Sequence, residues 1–273
     1  MDQATGQKID QTIDQAINQI IKRRSKMAWL GALWLLACVS VSCGTNTKGV
    51  SKECKLNSDQ KASLIGHWSV RPVPVAIISN DFSSSELAAI EAAIQTWNEF
   101  FKVSKGFRLY LAGSAPLATV PSSTQKVTRS TVCSQALLNA NGFHRPILIQ
   151  KNRSDWPYGS GVMALTSTCT AAVAGASTPA FYSGVIELNF KDFYNSGQPI
   201  PDLQSTLAHE LGHLLGLKHS CSAGADKGVV SCSAASEEYR DALMYPALGF
   251  YGNKGKVSRN LRTNDQQRAN CLY

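Results

Sequence analysis

The chain is short of charge. Asp, Glu, Lys and Arg make up 17% of its 273 residues, and 27 Lys and Arg against 19 Asp and Glu leave it at +8. Residues 1–42 hold five Lys/Arg and three Asp/Glu, so the remainder carries 22 − 16 = +6, a mild field suited to solubility or weak attraction to acidic surfaces. That remainder has no Lys/Arg block and no interleaving of cations with aromatic residues, so no nucleic-acid partner is expected. No internal repeat is apparent. The apolar run from Met27 to about Val41 is too short for a comfortable membrane-spanning helix. What the chain does have is 44% hydrophobic residues, enough over this length to bury a core and to exclude a disordered class. Histidine is scarce, with five in all. Three of the five fall within eleven residues.

The N-terminus reads as a targeting segment. Lys22, Arg23, Arg24 and Lys26 precede the apolar run, the order of a secretory signal. Cys38 and Cys43 each stand where bacterial lipoprotein signals, by resemblance, place a lipidated cysteine. Leu35-Leu36-Ala37-Cys38 is the better match, whereas Ser40-Val41-Ser42-Cys43-Gly44 lacks the usual aliphatic residue. Counting favours Cys43: cleavage before it leaves Cys54, Cys133, Cys169, Cys221, Cys232 and Cys271, an even six for an oxidising compartment. Plain secretion after Ser42 is the alternative. The expected organisation is an extension and signal over 1–42, a flexible tether over 43–57 and one domain over 58–273. The protein would then be exported, held to the cell envelope by a lipid anchor or secreted. Ile9 to Ile21 has helical periodicity, and no function is assigned to it.

The informative stretch is His209 to Ser220, HELGHLLGLKHS, which follows the pattern His-Glu-x-x-His-x-x-Gly-x-x-His. Positions four apart share one helix face, so His209 and His213 can offer nitrogens to one metal ion, with Glu210 beside them. Gly216 permits a bend that brings in His219 as a third ligand. Zinc on three ligands keeps a position open for water and lowers its pKa, and Glu210 is placed to take the proton. At ordinary residue usages chance yields such a pattern about once in 100,000 chains of this length, so a coincidence of core histidines is set aside.

With an Ala242-Leu243-Met244-Tyr245-Pro246 run downstream, the motif resembles the metzincin zinc endopeptidases, whose Met-turn underlies the metal. Ser220 and the Met-Tyr-Pro triplet make it similar to the matrixin branch. The resemblance implies an α+β zincin-like fold: a twisted mixed five-stranded sheet, a long helix, the active-site helix, and a small irregular C-terminal subdomain. It implies that Met244 floors the zinc site and that Pro246 to Tyr251 approach the specificity pocket. It also implies that Gly161, Val162, Met163 and Ala164 begin an edge strand, Gly161 to Ser167, that pairs with an extended peptide substrate. One catalytic Zn2+ is expected. Calcium is not indicated, and a second zinc is not expected because His144 and Asp155 lack further histidine partners.

Along the chain, Trp68 to Ile78 is expected to be extended, because Pro72 and Pro74 exclude a helix. Leu87, Ile90, Ile94, Trp97, Phe100 and Phe101 keep helical period over Glu86 to Phe101. Strands are expected over Arg108 to Ala112, Pro146 to Lys151 and Gly184 to Phe190. A helix capped by Asp202 should bury Leu203, Leu207, Leu211 and Leu214. A C-terminal helix should start with Thr263 or Asn264 as cap, and by the resemblance its Asp265 supports the Met-turn. Cys221 and Cys232 suit a local loop, and Cys271 could reach Cys54, although six cysteines permit fifteen pairings. The 25 residues from His219 to Met244 exceed the matrixin gap, and that insert could shape or cover the cleft. The expected function is a monomeric zinc-dependent endopeptidase acting on protein or peptide substrates, with Glu210 as general base. The alternative is a catalytically silent surface lipoprotein that uses the same scaffold for binding.

Overall fold

The computed structural model describes residues 54–69, 71–105, 117–121, 126–133, 147–195, 197–224 and 226–273. All of these belong to one compact unit, Thr45–Tyr273. The signal, Cys38 and Cys43, most of the tether, the strand expected at 108–112, and His144 lie outside the described residues.

The elements in chain order are α1 (Ser58–Ala62), β1 (His67–Trp68), β2 (Val75–Ile78), α2 (Ser84–Lys105), β3 (Ala118–Val120), β4 (Ile147–Asn152), β5 (Ala164–Ala171), β6 (Ala180–Asn189), α3 (Leu203–Leu214), α4 (Glu237–Arg240), β7 (Phe250–Tyr251), β8 (Lys254–Gly255) and α5 (Thr263–Leu272). Among the described residues, six strands form the main sheet in the order β1-β6-β4-β2-β3, with β5 also paired to β6. Five strands were expected. One of the five, at 108–112, lies outside the described residues, and another, Trp68 to Ile78, divides: Pro72 and Pro74 donate no main-chain hydrogen bond, so the ladder breaks between β1 and β2. β3 was likewise unforeseen within a polar connection. Every pairing is parallel except that of β5, which runs antiparallel along β6 and has a sheet partner on one side only among the described residues.

Side chains alternate across the sheet as the pleat requires. Val75, Ile77, Ile147, Ile149, Ile186 and Leu188 face the large core, whereas Ala76, Leu148 and Val185 face a smaller one that includes Val127 and Val132. The two long helices fill the large core. Ile90, Ile94, Trp97 and Phe101 of α2 are fully buried at the helical spacing read from the sequence, with Leu87 and Phe100 packed at the margin. Trp97 Nε1 donates to the Ala208 carbonyl (2.8 Å) and Trp68 Nε1 to the Leu214 carbonyl (2.7 Å), so both indoles hold α3 by its main chain. Asp202 caps α3 by accepting from the Ser205 amide (2.9 Å).

Three disulfides close the described chain: Cys54–Cys271, Cys133–Cys169 and Cys221–Cys232. The insert between His219 and Met244 is folded on itself by the last of them and anchored to α1, where Tyr239 donates its hydroxyl to Asp59 (2.7 Å). The expected α5 cap is corrected: Arg262 occupies the N-cap position, and its amide donates to Asp265 Oδ2 (2.9 Å). Asp265 is fully buried. It also accepts from the amides of Leu243 (2.7 Å) and Met244 (3.1 Å), so three donors solvate one carboxylate. Arg268, equally buried, lies 3.5 Å from it and reaches the carbonyls of Lys218 (3.0 Å) and His219 (3.4 Å). Burial lowers its guanidinium pKa to about 10, which leaves it charged at neutral pH. Removing one member of a buried ion pair leaves an uncompensated charge. Asp265→Ala should therefore cost about 3–5 kcal/mol of folding stability in urea titration, far above an exposed substitution. A loss under about 1 kcal/mol would contradict this role.

Candidate metal centre

Helix α3 delivers the site because its two faces differ. Leu207, Leu211 and Leu214 enter the core, while His209 and His213, one turn apart, face the opposite way with Glu210 between them. Gly212 has its own reason to lack a side chain: a Cβ there would collide with Met244 Sδ and approach Trp97. The methionine thus packs directly against the helix segment between the two histidines.

The helix ends in a Schellman motif. Leu217 N donates to the Gly212 carbonyl (3.0 Å) and Gly216 N to that of His213 (3.0 Å), with Gly216 at φ +97°. A Cβ on Gly216 would also strike the Gly66 carbonyl, so the position tolerates neither the conformation nor the volume of another residue. The turn brings His219 back to the helical pair. Ring centroids lie 4.9 Å (His209–His213), 5.2 Å (His209–His219) and 4.8 Å (His213–His219) apart, and one nitrogen from each ring lies within 4.8 Å of the others.

Main-chain carbonyls decide which nitrogens are free. His209 Nδ1 sits 2.8 Å from the Leu243 carbonyl and His213 Nδ1 2.7 Å from the Leu217 carbonyl. A carbonyl only accepts, so each Nδ1 carries the proton and donates it, and each Nε2 keeps its lone pair. Burial holds His213 well below the ordinary imidazole value and pushes His219 down to about 4, with the neighbouring histidines lowering both further. Both are neutral at pH 7. Three clustered imidazoles, two of them held neutral by burial, make a donor set that fits a borderline metal such as zinc.

Glu210 is buried, and desolvation raises its pKa, opposed by His209 and by a Thr166 hydroxyl that donates to Oε2 (2.6 Å). Thr166 was not singled out in the sequence. Its only signal was a hydroxyl in the middle of an edge strand.

A cleft of about 430 Å³ opens over the three histidines and Glu210. Gly161, Val162, Met163, Ala164, Leu165 and Thr166 line one wall in succession. Since alternate side chains of a strand face opposite ways, six consecutive lining residues mean that the cleft meets this segment along its main-chain edge. β5 itself begins at Ala164, later than expected, although the Met163 and Val162 carbonyls still accept from Asn189 (2.9 Å each). Pro246 and Leu248 lie in the lining as well, as does Thr206. Tyr251 does not: it sits on the β7–β8 hairpin, 72% exposed, because Ile200 pairs that hairpin beside the start of α3. No described residue between Ser220 and Met244 lines the cleft either, which corrects the expectation for the insert. Its anchorage to α1 draws it elsewhere.

No curated protein matches the chain in sequence. Among solved structures it is similar to high choriolytic enzyme 1, a hatching enzyme zinc-protease from the medaka fish Oryzias latipes, at 14% identity and a TM-score of 0.32, over 78% of this chain and 95% of that one. A family model described as metallo-peptidase family M12, reprolysin-type, matches residues 76–258. Because that match spans more than half of the chain and all three clustered histidines, the chain belongs to metallo-peptidase family M12, a family of the metzincin type.

Proposed function

We propose that this chain is an active zinc-dependent endopeptidase in which His209, His213 and His219 hold the metal and Glu210 is the general base. The observation that carries it is the convergence of three imidazoles and one buried carboxylate on a cleft that runs along a strand edge. Zinc bound there supplies a Lewis acid that lowers the pKa of water and polarises a carbonyl oxygen. The side of β5 that has no sheet partner among the described residues, with the segment before it, offers main-chain groups to an extended polypeptide, which draws the scissile bond across the histidines. Glu210 takes a proton from the attacking water and passes it to the leaving amine. Its raised pKa brings it nearer the working pH, where a base that must also act as acid is most effective. Thr166 positions Oε2 for both transfers. Met244, packed against Gly212 and held by Asp265, is the Met-turn residue of this account.

Within the metzincins, the likeness to matrixins rests on Ser220 and on Met244-Tyr245-Pro246. Ser220 has a structural task that suits it: its amide donates to the Met244 carbonyl (2.8 Å) and its hydroxyl to that of Tyr239 (2.6 Å). We further place the protein outside the cytoplasm, anchored through Cys43 or secreted. The three disulfides support an oxidising compartment.

Glu210→Ala should leave zinc bound at wild-type stoichiometry while kcat/KM for peptide cleavage falls by about 10²–10⁴-fold. Wild-type activity in that variant would sink the mechanism. A denatured-proteome peptide library, digested with and without a chelator, should show chelator-sensitive cleavage, and no cleavage at all would favour a silent binding module.

Proton competition gives a second expectation. His219 is depressed to about 4 in the fold against 6.5 in the unfolded chain, and His213 is depressed as well. Between those values the unfolded state binds more protons, so stability rises with pH there and is lost as pH falls from 6.5 toward 4. The metal-free protein should lose more of its urea midpoint between pH 6.5 and 4.5 than His219→Gln does; equal losses would contradict the burial of a neutral imidazole.

A further inference from the structure

Four large apolar side chains are exposed among the described residues, Val103, Ile200, Tyr251 and Val257, and Ile200 and Tyr251 meet at one hairpin with Val257 shortly beyond it in sequence. The β7–β8 hairpin pairs Tyr251 with Lys254, and Ile200 bridges to Lys254 from the other side, through Ile200 N to the Asn253 carbonyl and Gly255 N to the Ile200 carbonyl (2.8 Å each). Residues opposite one another in a ladder point to the same face. Tyr251, Lys254 and Ile200 therefore form one transverse row. The other face is turned inward, where Phe250 stacks on Phe193 with centroids 6.4 Å apart. The outward row is 72% exposed at Tyr251 and 51% at Ile200, and Val257, two residues past the hairpin, is 60% exposed.

Along the sequence this segment carries charge of one sign, while in space Arg240 and Asp241 share a groove with Lys256 and Val257. From Ala242 to Asn264 the chain has no Asp or Glu, while Lys254, Lys256, Arg259 and Arg262 fall within it. Arg259 is neutralised by Asp202, which leaves Lys254 and Lys256 exposed beside the apolar side chains. A tyrosine ring with a polar tip, an isoleucine and lysines on flexible stems suit a water–lipid boundary, where the apolar portions enter and the ammonium groups meet phosphates. The row stands on a projecting two-strand hairpin with Gly252 in its turn, and a projecting aromatic fits into a yielding headgroup layer better than it grips an extended peptide.

We propose that this ribbon, Ile200 with Tyr251, Lys254, Lys256 and Val257, docks the protein on an anionic lipid bilayer. The surface is separate from the cleft and does not depend on peptidase activity. The full chain has an apolar segment of its own near the N-terminus, so the test must be local. Hydrogen exchange followed by mass spectrometry on the full-length protein should be slowed in residues 249–257 by phosphatidylcholine vesicles containing phosphatidylglycerol, and not by phosphatidylcholine alone. The protection should weaken in high salt. Lys254→Gln with Lys256→Gln should weaken the local association about five-fold per lysine, about 25-fold together, with exchange in α3 unchanged as the control for folding. Tyr251→Ser should weaken it on its own. Equal protection by neutral and anionic vesicles, or none by either, overturns the proposal. So does protection of the same residues by soluble polyglutamate to the extent seen with vesicles, which would make the ribbon a polypeptide exosite instead.

Discussion

The structure turns on a carboxylate that no solvent reaches. Asp265 satisfies the amides of Leu243 and Met244, and the carbonyl of that same Leu243 fixes the proton of His209. Arg268, balancing the buried charge, reaches the carbonyls of Lys218 and His219. The ring is therefore closed: first histidine, methionine segment, C-terminal helix, third histidine. A metal site assembled from a helix and a returning turn needs its two parts held at constant separation, and here that distance is maintained from below by α5 rather than by the ligands themselves. The Cys54–Cys271 bridge secures the same helix from the other end of the described chain.

Burial then sets the chemistry. The same exclusion of water that lowers the two histidine pKa values raises that of Glu210, so neutral donors and a carboxylate with a raised pKa coexist at one site. In water the imidazoles would compete for protons with any metal, and the carboxylate would be a weaker base. The hydrogen bond from Thr166 ties the Glu210 carboxylate to β5, so in the proposed mechanism the position of a substrate along that strand would be coupled to that of its proton acceptor.

Much of this was legible in the sequence where a residue type has one physical use. The spacing of His209, His213 and His219 with Gly216 required a helix, a positive-φ stop and a return, and those were found. Asp202 as cap and the apolar stripe of α2 followed from local hydrogen bonding and period. The Cys221–Cys232 and Cys54–Cys271 pairs were among the arrangements considered, but only packing distinguishes them from the other combinations. Less was legible where long-range contacts decide. The insert after His219 looks from its position as though it should overhang the cleft, and the Tyr239–Asp59 contact, 180 residues apart in sequence, takes it to α1 instead. Tyr251 illustrates the same limit: proximity in sequence to Pro246 suggested the cleft, while pairing with the strand partner of Ile200 carried it to the surface.

The central claim is that the fold presents one imidazole nitrogen each from His209, His213 and His219 to a single zinc ion. X-ray absorption at the zinc edge of the purified protein tests it most directly. The account predicts one zinc per chain with three imidazole nitrogens at about 2.0–2.1 Å and one oxygen donor, reduced to two imidazoles or lost altogether in His219→Ala. A sulfur shell near about 2.3 Å, or an unchanged imidazole count in that variant, would contradict it.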